Sequence, residues 1–201
     1  MSSSKIEIRR LVRDRACGVL VDVQDFFLRA LPPAERTRIK ETTAQFLGLL
    51  THLGCPVVAT IERPVEEKGT LPQTLLLYAK TPPIVLEKEF FDLTAEPRAL
   101  ERVASLGRDQ VVLAGSETDV CVLQSCLGLL EKGYEVFVVE DLVFSSSGET
   151  DAAIGRMRDA GAVIVTYKTL FHEFLRSVEG SAARRALEGT EFPKALNEYA
   201  F

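Results

Sequence analysis

Of the four cysteines in this 201-residue chain, Cys121 has the surroundings a nucleophile needs. It follows Gly115-Ser116-Glu117-Thr118-Asp119-Val120, a polar run between the apolar Val111–Ala114 and an amphipathic stretch. With Thr118 as helix N-cap, Cys121 falls in the first helical turn, where free N–H groups and the positive dipole end favour a thiolate. Ser116 is an alternative cap, with Asp119 three residues on, and Cys121 still lies near the helix start. The same amides can face a developing oxyanion, the usual requirement of acyl transfer. The competing reading makes Cys121 a buried helix cysteine, as Cys126 is read to be. Cys17, in an apolar run, and Cys55, before Pro56, read as small buried or turn residues.

Two further ionisable groups complete a chemistry. Asp22 sits between Val21 and Val23 at the end of the run Cys17–Val23, where apolar neighbours raise a carboxyl pKa towards that of a general base. Its plainer reading is a turn or helix-capping carboxylate, and Asp25 is a rival, more exposed acid. Lys88 ends the strand-like Ile84–Leu86 in Leu86-Glu87-Lys88-Glu89-Phe90-Phe91. Near the site it favours both carboxylate and thiolate; elsewhere it is an ordinary solvated lysine. Gln24, Phe26, Phe27, Phe90 and Phe91 are candidates to line a compact, partly aromatic substrate pocket, with core packing the alternative for the phenylalanines. Ser145-Ser146-Ser147-Gly148 reads as a loop, or as a contact for a polar substrate group. No GxGxxG or GxxxxGK[ST] motif follows a strand, and His52 and His172 are too few and too scattered for a metal site. No cofactor or metal is expected.

These residues need elements to bring them together. Six short apolar runs read as strands: Cys17–Val23, Val57–Thr60, Ile84–Leu86, Val111–Ala114, Val136–Val139 and Val163–Val165. Helical patterns cover Ala34–Leu53, Pro97–Leu106, Thr118–Lys132 and Thr150–Ala160, with a short helix around Gln73–Tyr78. Pro32 and Pro33 stand where the first long helix begins, and Gly54, Gly133 and Gly161 follow helices as caps. The alternation predicts a parallel sheet with strands buried from both sides, a three-layer α/β/α sandwich of six strands, for which the common Rossmann-like order 3-2-1-4-5-6 is assumed. Strands 1 and 4 are then neighbours at the switch point, where open sheets bind ligands, and Asp22 and Cys121 converge there. Lys88 is not adjacent to strand 1 in this order, so it must reach inward or the order must differ. The whole chain, 1–201, reads as one domain with an N-terminal arm (1–15) and a C-terminal helix and tail (177–201). Phe174, Phe192 and Phe201 are placed to dock that tail on this or a neighbouring subunit.

Composition narrows the class further. A net charge of −5 disfavours nucleic acid and anionic lipid as partners. Arg9, Arg10, Arg13 and Arg15 are interrupted by Asp14 and lack interleaved aromatics, which fits a solvated arm. No secretory leader or membrane-spanning run is evident, and the cysteines show no CxxC spacing, so a reducing cytoplasm is expected. The expected partner is a small-molecule substrate.

Val21-Asp22-Val23-Gln24, then Lys88, then Gly115-Ser116-Glu117-Thr118-Asp119-Val120-Cys121-Val122 resembles the isochorismatase-like cysteine hydrolase superfamily, over about residues 16–170. That group includes nicotinamidases and carbamoylases. The resemblance implies a catalytic triad of Asp22, Lys88 and Cys121, with Asp22 taking the proton of Cys121. It also implies a cis peptide between Ser116 and Glu117, an oxyanion hole from the amides of Glu117 and Cys121, and a homo-oligomer. Where nicotinamidases carry an Asp-x-His metal motif after strand 2, this chain reads Thr60-Ile61-Glu62-Arg63-Pro64, similar to the metal-free branch. True isochorismatases lack the cysteine, so Cys121 points away from isochorismate. The first motif reads Gln24-Asp25-Phe26-Phe27 where many members have Gln-Asn-Asp-Phe. The implied activity is hydrolysis of a small amide or related C–N bond through a thioester. The alternatives are a catalytically silent binding or scaffold protein and, more remotely, a phospho-acceptor receiver domain. The latter lacks an acceptor Asp after strand 3 and a Lys after strand 5.

Overall fold

The computed structural model describes residues 8–148, 150–178 and 182–187. The apolar runs form β1 (Ala16–Val21), β2 (Val57–Glu62), β3 (Ile84–Lys88), β4 (Gln110–Ser116), β5 (Glu135–Phe144) and β6 (Val163–Val165). They pair in parallel throughout, as the alternation of elements predicts, and in the assumed common order, β3-β2-β1-β4-β5-β6. The helices are α1 (Asp25–Ala30), α2 (Pro33–His52), α3 (Val65–Lys68), α4 (Pro97–Ser105), α5 (Leu123–Glu131), α6 (Asp151–Asp159), α7 (Tyr167–Leu175) and α8 (Ala182–Leu187). The short α1, which breaks off before Pro32, is an addition to the expected set.

Successive strand residues face opposite sides, so each strand feeds two cores. Leu20, Ala59, Val112 and Phe137 meet Leu47 and Leu50 of α2 and Phe171 of α7. Val19, Val58, Leu113 and Val138 meet Val103 of α4, Leu129 of α5 and Met157 of α6. Central strands β1, β2 and β4 are buried along their full length. The expectation of burial on both sides fails for β3: it is the edge strand, and Ile84 and Val85 are exposed there.

The described part of the N-terminal arm is docked, not solvated. Leu11 is fully buried, its amide donates to Glu173 of α7 (2.9 Å), and the Val12 amide donates to Gln110 (2.7 Å). Arg9 donates to the Gly161 carbonyl (2.6 Å), and Arg15 pairs with Asp109 (2.6 Å) and Glu135 (2.7 Å). The basic cluster thus answers acceptors of the strand ends, which the charge pattern alone did not reveal. Phe174 is buried in the α2 and α7 core, whereas Phe192 and Phe201 lie outside the described residues. Among the described residues no helix is long and apolar enough to cross a membrane.

One position sets how closely β1 and β4 can approach at their carboxyl ends. Gly115 is paired with Val21 and adopts φ +128°, in the region that favours glycine. A Cβ there would lie 2.0 Å from the Val21 carbonyl oxygen, which is backbone and cannot yield. Gly115→Ala is therefore expected to cost at least about 4 kcal/mol, in the range of severe single substitutions. Denaturant unfolding, or loss of soluble protein, checks this; a shift under about 1 kcal/mol would show that the strands can separate there.

Candidate active site

Three strands deliver side chains to one spot. On β2, Thr60 and Glu62 share the face of Val58, and on β3 Lys88 is the register partner of Glu62. Lys88 thus lies two strands from β1, roughly 10 Å at the usual spacing. Its extended side chain crosses the end of β2, and Nζ lies 2.7 Å from Asp22 Oδ2, both side chains fully buried. The adjacency problem posed by the strand order is solved by reach, with the order unchanged.

Asp22 itself leaves the strand. Strict alternation would aim it with Leu20 towards α2, but it takes φ 47°, a left-handed conformation that Asp tolerates better than most residues. Its amide donates to the Thr60 carbonyl (3.1 Å), and its carbonyl accepts from the Gln24 amide (2.8 Å) and Ser116 Oγ (2.7 Å). Asp22 Oδ1 accepts from Thr60 Oγ1 (2.8 Å). The turn re-aims the carboxylate to the side where Thr60, Glu62 and Lys88 point.

Cys121 arrives from the other side of the switch point. The peptide between Ser116 and Glu117 is cis, as the resemblance implied. Glu117, not Thr118, precedes the helical turn, and Thr118–Val122 is a π turn leading into α5. The Glu117 carbonyl accepts from the amides of Val120 (3.1 Å) and Val122 (3.0 Å), on either side of Cys121. Thr118 Oγ1 is buried with no hydrogen-bond partner among the described residues, so it does not cap. The serine loop after β5 braces this segment: Ser146 N and Ser146 Oγ donate to Glu117 (2.8 Å), Ser147 Oγ donates to Asp119 (3.0 Å), and the single Ser145 hydroxyl lies between the two carboxylates, 2.8 Å from Glu117 and 2.6 Å from Asp119.

Cys121 Sγ donates to Glu62 Oε2 (3.0 Å) and accepts from Lys88 Nζ (3.5 Å), and it is 1% exposed. Donor atoms of Asp22, Glu62 and Cys121 all lie within 4.8 Å of one another. Such a set has the composition of a metal site, but the Lys88 ammonium already sits among its members, 3.6 Å from Glu62. Glu62 was absent from the expected site. Its signal was a carboxylate at the carboxyl end of β2, in the place of the missing metal motif. Lys68 of α3 pairs with its other oxygen and lies 5.9 Å from the Phe27 ring centre.

The electrostatics oppose the thiolate that the helix start was expected to favour. Burial pushes the Cys121 thiol up, the Asp22 charge adds to this, and Lys88 only partly opposes it. Burial likewise pushes the Asp22 carboxyl up against the pull of Lys88 and Thr60. For Lys88, burial acts downward, but Asp22, Cys121 and Glu62 outweigh it and hold the ammonium charged. Burial acts upward on Glu62 too, yet hydrogen bonds from Lys68 and Cys121 keep it below the usual carboxylate range. The resting sulfur is a thiol bonded to a carboxylate.

The pocket candidates divide. Gln24 is buried and fully engaged: Oε1 accepts from the Glu62 amide (2.7 Å), and Nε2 donates to the carbonyls of Glu62 (3.1 Å) and Gly69 (2.6 Å). It positions Glu62 and has no amide hydrogen to spare. Phe27 belongs to the core and stacks edge-on with the half-exposed Phe26 (5.2 Å). Phe90 and Phe91 are also half-exposed, and their backbone carbonyls accept from Lys88 Nζ (3.1 Å) and Ser125 Oγ (3.3 Å).

Removing the ammonium isolates Asp22. Lys88→Met is expected to cost about 3–5 kcal/mol at neutral pH, the range for breaking a buried pair. The sign follows from Asp22, whose folded pKa is raised above an unfolded value of about 3.9. That stabilisation is present below the unfolded value and is lost as pH rises towards the folded one, by about 1.4 kcal/mol per pH unit. Without Lys88 the window extends further, so the gap from the wild type should stay constant up to the wild type's folded Asp22 pKa and widen only above it. Urea unfolding across pH checks this; a pH-independent gap would show that Asp22 is not the group left stranded.

Comparisons with known proteins agree with this fold. The Isochorismatase domain family matches residues 16–169. The chain is 31% identical over 172 residues to the secreted isochorismatase effector Isc1 of Phytophthora sojae, covering 84% of this chain and 81% of that protein. YcaC from Pseudomonas aeruginosa, solved with hexane-2,5-diol and covalent acrylamide, superposes with TM-score 0.80 at 23% identity, covering 98% and 100% of the two chains. Escherichia coli YcaC, described as an octameric hydrolase of unknown specificity, gives TM-score 0.78 at 22% identity, covering 97% and 98%. With its sheet order, its cis peptide before the cysteine and a family match spanning the whole sheet, the chain belongs to the isochorismatase family.

Proposed function

We propose that the protein is a cysteine hydrolase of a small amide or related C–N bond, working through a thioester on Cys121. The observation that carries this reading is the sulfur held between a carboxylate at 3.0 Å and a buried ammonium at 3.5 Å, the latter paired with Asp22. A thiol in that setting loses its proton to a neighbouring carboxylate as it attacks, and Lys88 stabilises the charge left on sulfur. The amides of Glu117 and Cys121 are the proposed oxyanion donors, presented by the braced loop after β4. Asp22, anchored by Thr60 and Lys88, is the proposed base for the water that cleaves the thioester. The covalent acrylamide of Pseudomonas YcaC supports a reactive nucleophile in a protein of this fold, since acrylamide is attacked at its vinyl carbon.

Self-association is part of the reading, supported by the octamer described for Escherichia coli YcaC and by half-exposed phenylalanines at positions 26, 90 and 91. A reducing cytoplasm is supported by four buried thiols, none in a disulfide.

A screen for ammonia release across nicotinamide, aliphatic amides, ureides and carbamoyl amino acids identifies the substrate class. Cys121→Ala should lower turnover by at least about a thousandfold while circular dichroism stays unchanged. Equal turnover by that variant would remove the nucleophile. Silence of both proteins across the panel, with a binding partner held equally by both, would favour the scaffold reading.

A further inference from the structure

Glu62 is placed by more of the molecule than a surface carboxylate requires. Both ends of the Gln24 amide grip its backbone, Lys68 holds one carboxylate oxygen, and the other accepts the Cys121 thiol at 3.0 Å. Asp22, by contrast, has both oxygens engaged elsewhere, Oδ1 by Thr60 Oγ1 (2.8 Å) and Oδ2 by Lys88 (2.7 Å). Of the two carboxylates, Glu62 is the one that accepts the hydrogen bond of the thiol.

We propose that Glu62 is a second acid–base residue of this site, taking the Cys121 proton during acylation and delivering it to the leaving nitrogen. The inference rests on the cysteine-hydrolase reading and divides its proton transfers between two carboxylates. In acylation the S–H bond breaks and an O–H bond forms at Glu62 Oε2. Sulfur bonds to the carbonyl carbon, and the carbonyl electron pair moves to oxygen. When the tetrahedral adduct collapses, the C–N pair leaves on nitrogen and takes the proton from Glu62, restoring its carboxylate. In deacylation water gives a proton to Asp22 and attacks the thioester, and the departing sulfur takes that proton back. The sum is one amide bond and one water consumed, one acid and one amine released.

A proton shared within a buried pair has a signature that a structural carboxylate lacks. Transfer from sulfur to Glu62 consumes no proton from solvent, so the reactive thiolate beside a neutral Glu62 forms to the same extent over a range of pH. The rate of Cys121 alkylation by iodoacetamide, followed by peptide mass, should be flat from about pH 5 to about pH 7 in the wild type. In Glu62→Gln the thiolate forms only by loss to solvent, and the rate should rise about tenfold per pH unit over that interval. Asp22→Asn should keep the flat region. The same Glu62→Gln protein should lose at least about a hundredfold in hydrolysis of p-nitroacetanilide, whose nitrogen must be protonated, and much less with p-nitrophenyl acetate. A flat region surviving in Glu62→Gln, or lost in Asp22→Asn, would overturn the assignment to Glu62. So would an equal loss on both substrates accompanied by a lowered melting temperature. Failure of the hydrolase reading shows differently: the alkylation profiles keep their shapes, but no acyl-enzyme forms from p-nitrophenyl acetate in the wild type.

Discussion

A charged ammonium with no exposed surface lies at the centre of the candidate site, and its neighbours make sense only around it. Moving an isolated lysine charge from water into such a place costs several kcal/mol even after relaxation. Asp22 offsets most of that at 2.7 Å, Glu62 adds a second negative charge at 3.6 Å, and the Phe90 carbonyl takes a further N–H at 3.1 Å. The Cys121 sulfur occupies the remaining approach at 3.5 Å. A cation enclosed in this way favours negative charge on whichever neighbour gains it, which is the electrostatic condition for a sulfur nucleophile.

The sheet topology and a few backbone departures put these groups in one place. The order β3-β2-β1 leaves β2 between lysine and aspartate, so a short acidic side chain and a long basic one meet across it. Asp22 turns out of its strand alternation, Gly115 lets β1 and β4 close up, and the π turn presents Cys121 beside them. The carboxyl-end loops then bind one another: Gln24 to Glu62, Ser116 to Asp22, and Ser145 and Ser146 to Glu117. Such mutual bracing holds donors and charges in place before any substrate arrives, which is where enzymes obtain much of their electrostatic stabilisation.

Much of this was legible residue by residue. The six apolar runs became the six strands because helices on both sides leave a central strand nowhere polar to face, a rule the edge strands β3 and β6 follow less strictly. Asp22 and Cys121 stood out because carboxyl ends of strands flanking a switch point are where side chains can converge. Glu62 did not stand out, since a carboxylate at a strand end reads as solvated until something is known to turn it inward. Gln24 was read as a substrate contact because its type fits one; its actual use depends on β2 passing within reach. The docked arm was missed for a similar reason: the acceptors of Arg9 and Arg15 are far away in sequence.

By itself the sequence determined which runs are strands and that a carboxylate and a cysteine stand at the carboxyl ends of two of them. Periodicity, local propensity and connection rules carry that information along the chain, without reference to distant contacts. Tertiary structure alone decided the protonation of the sulfur, the inclusion of Glu62 and the bridging reach of Lys88. Those depend on desolvation and on distances of a few ångströms between elements, where a small displacement changes which charge a proton meets.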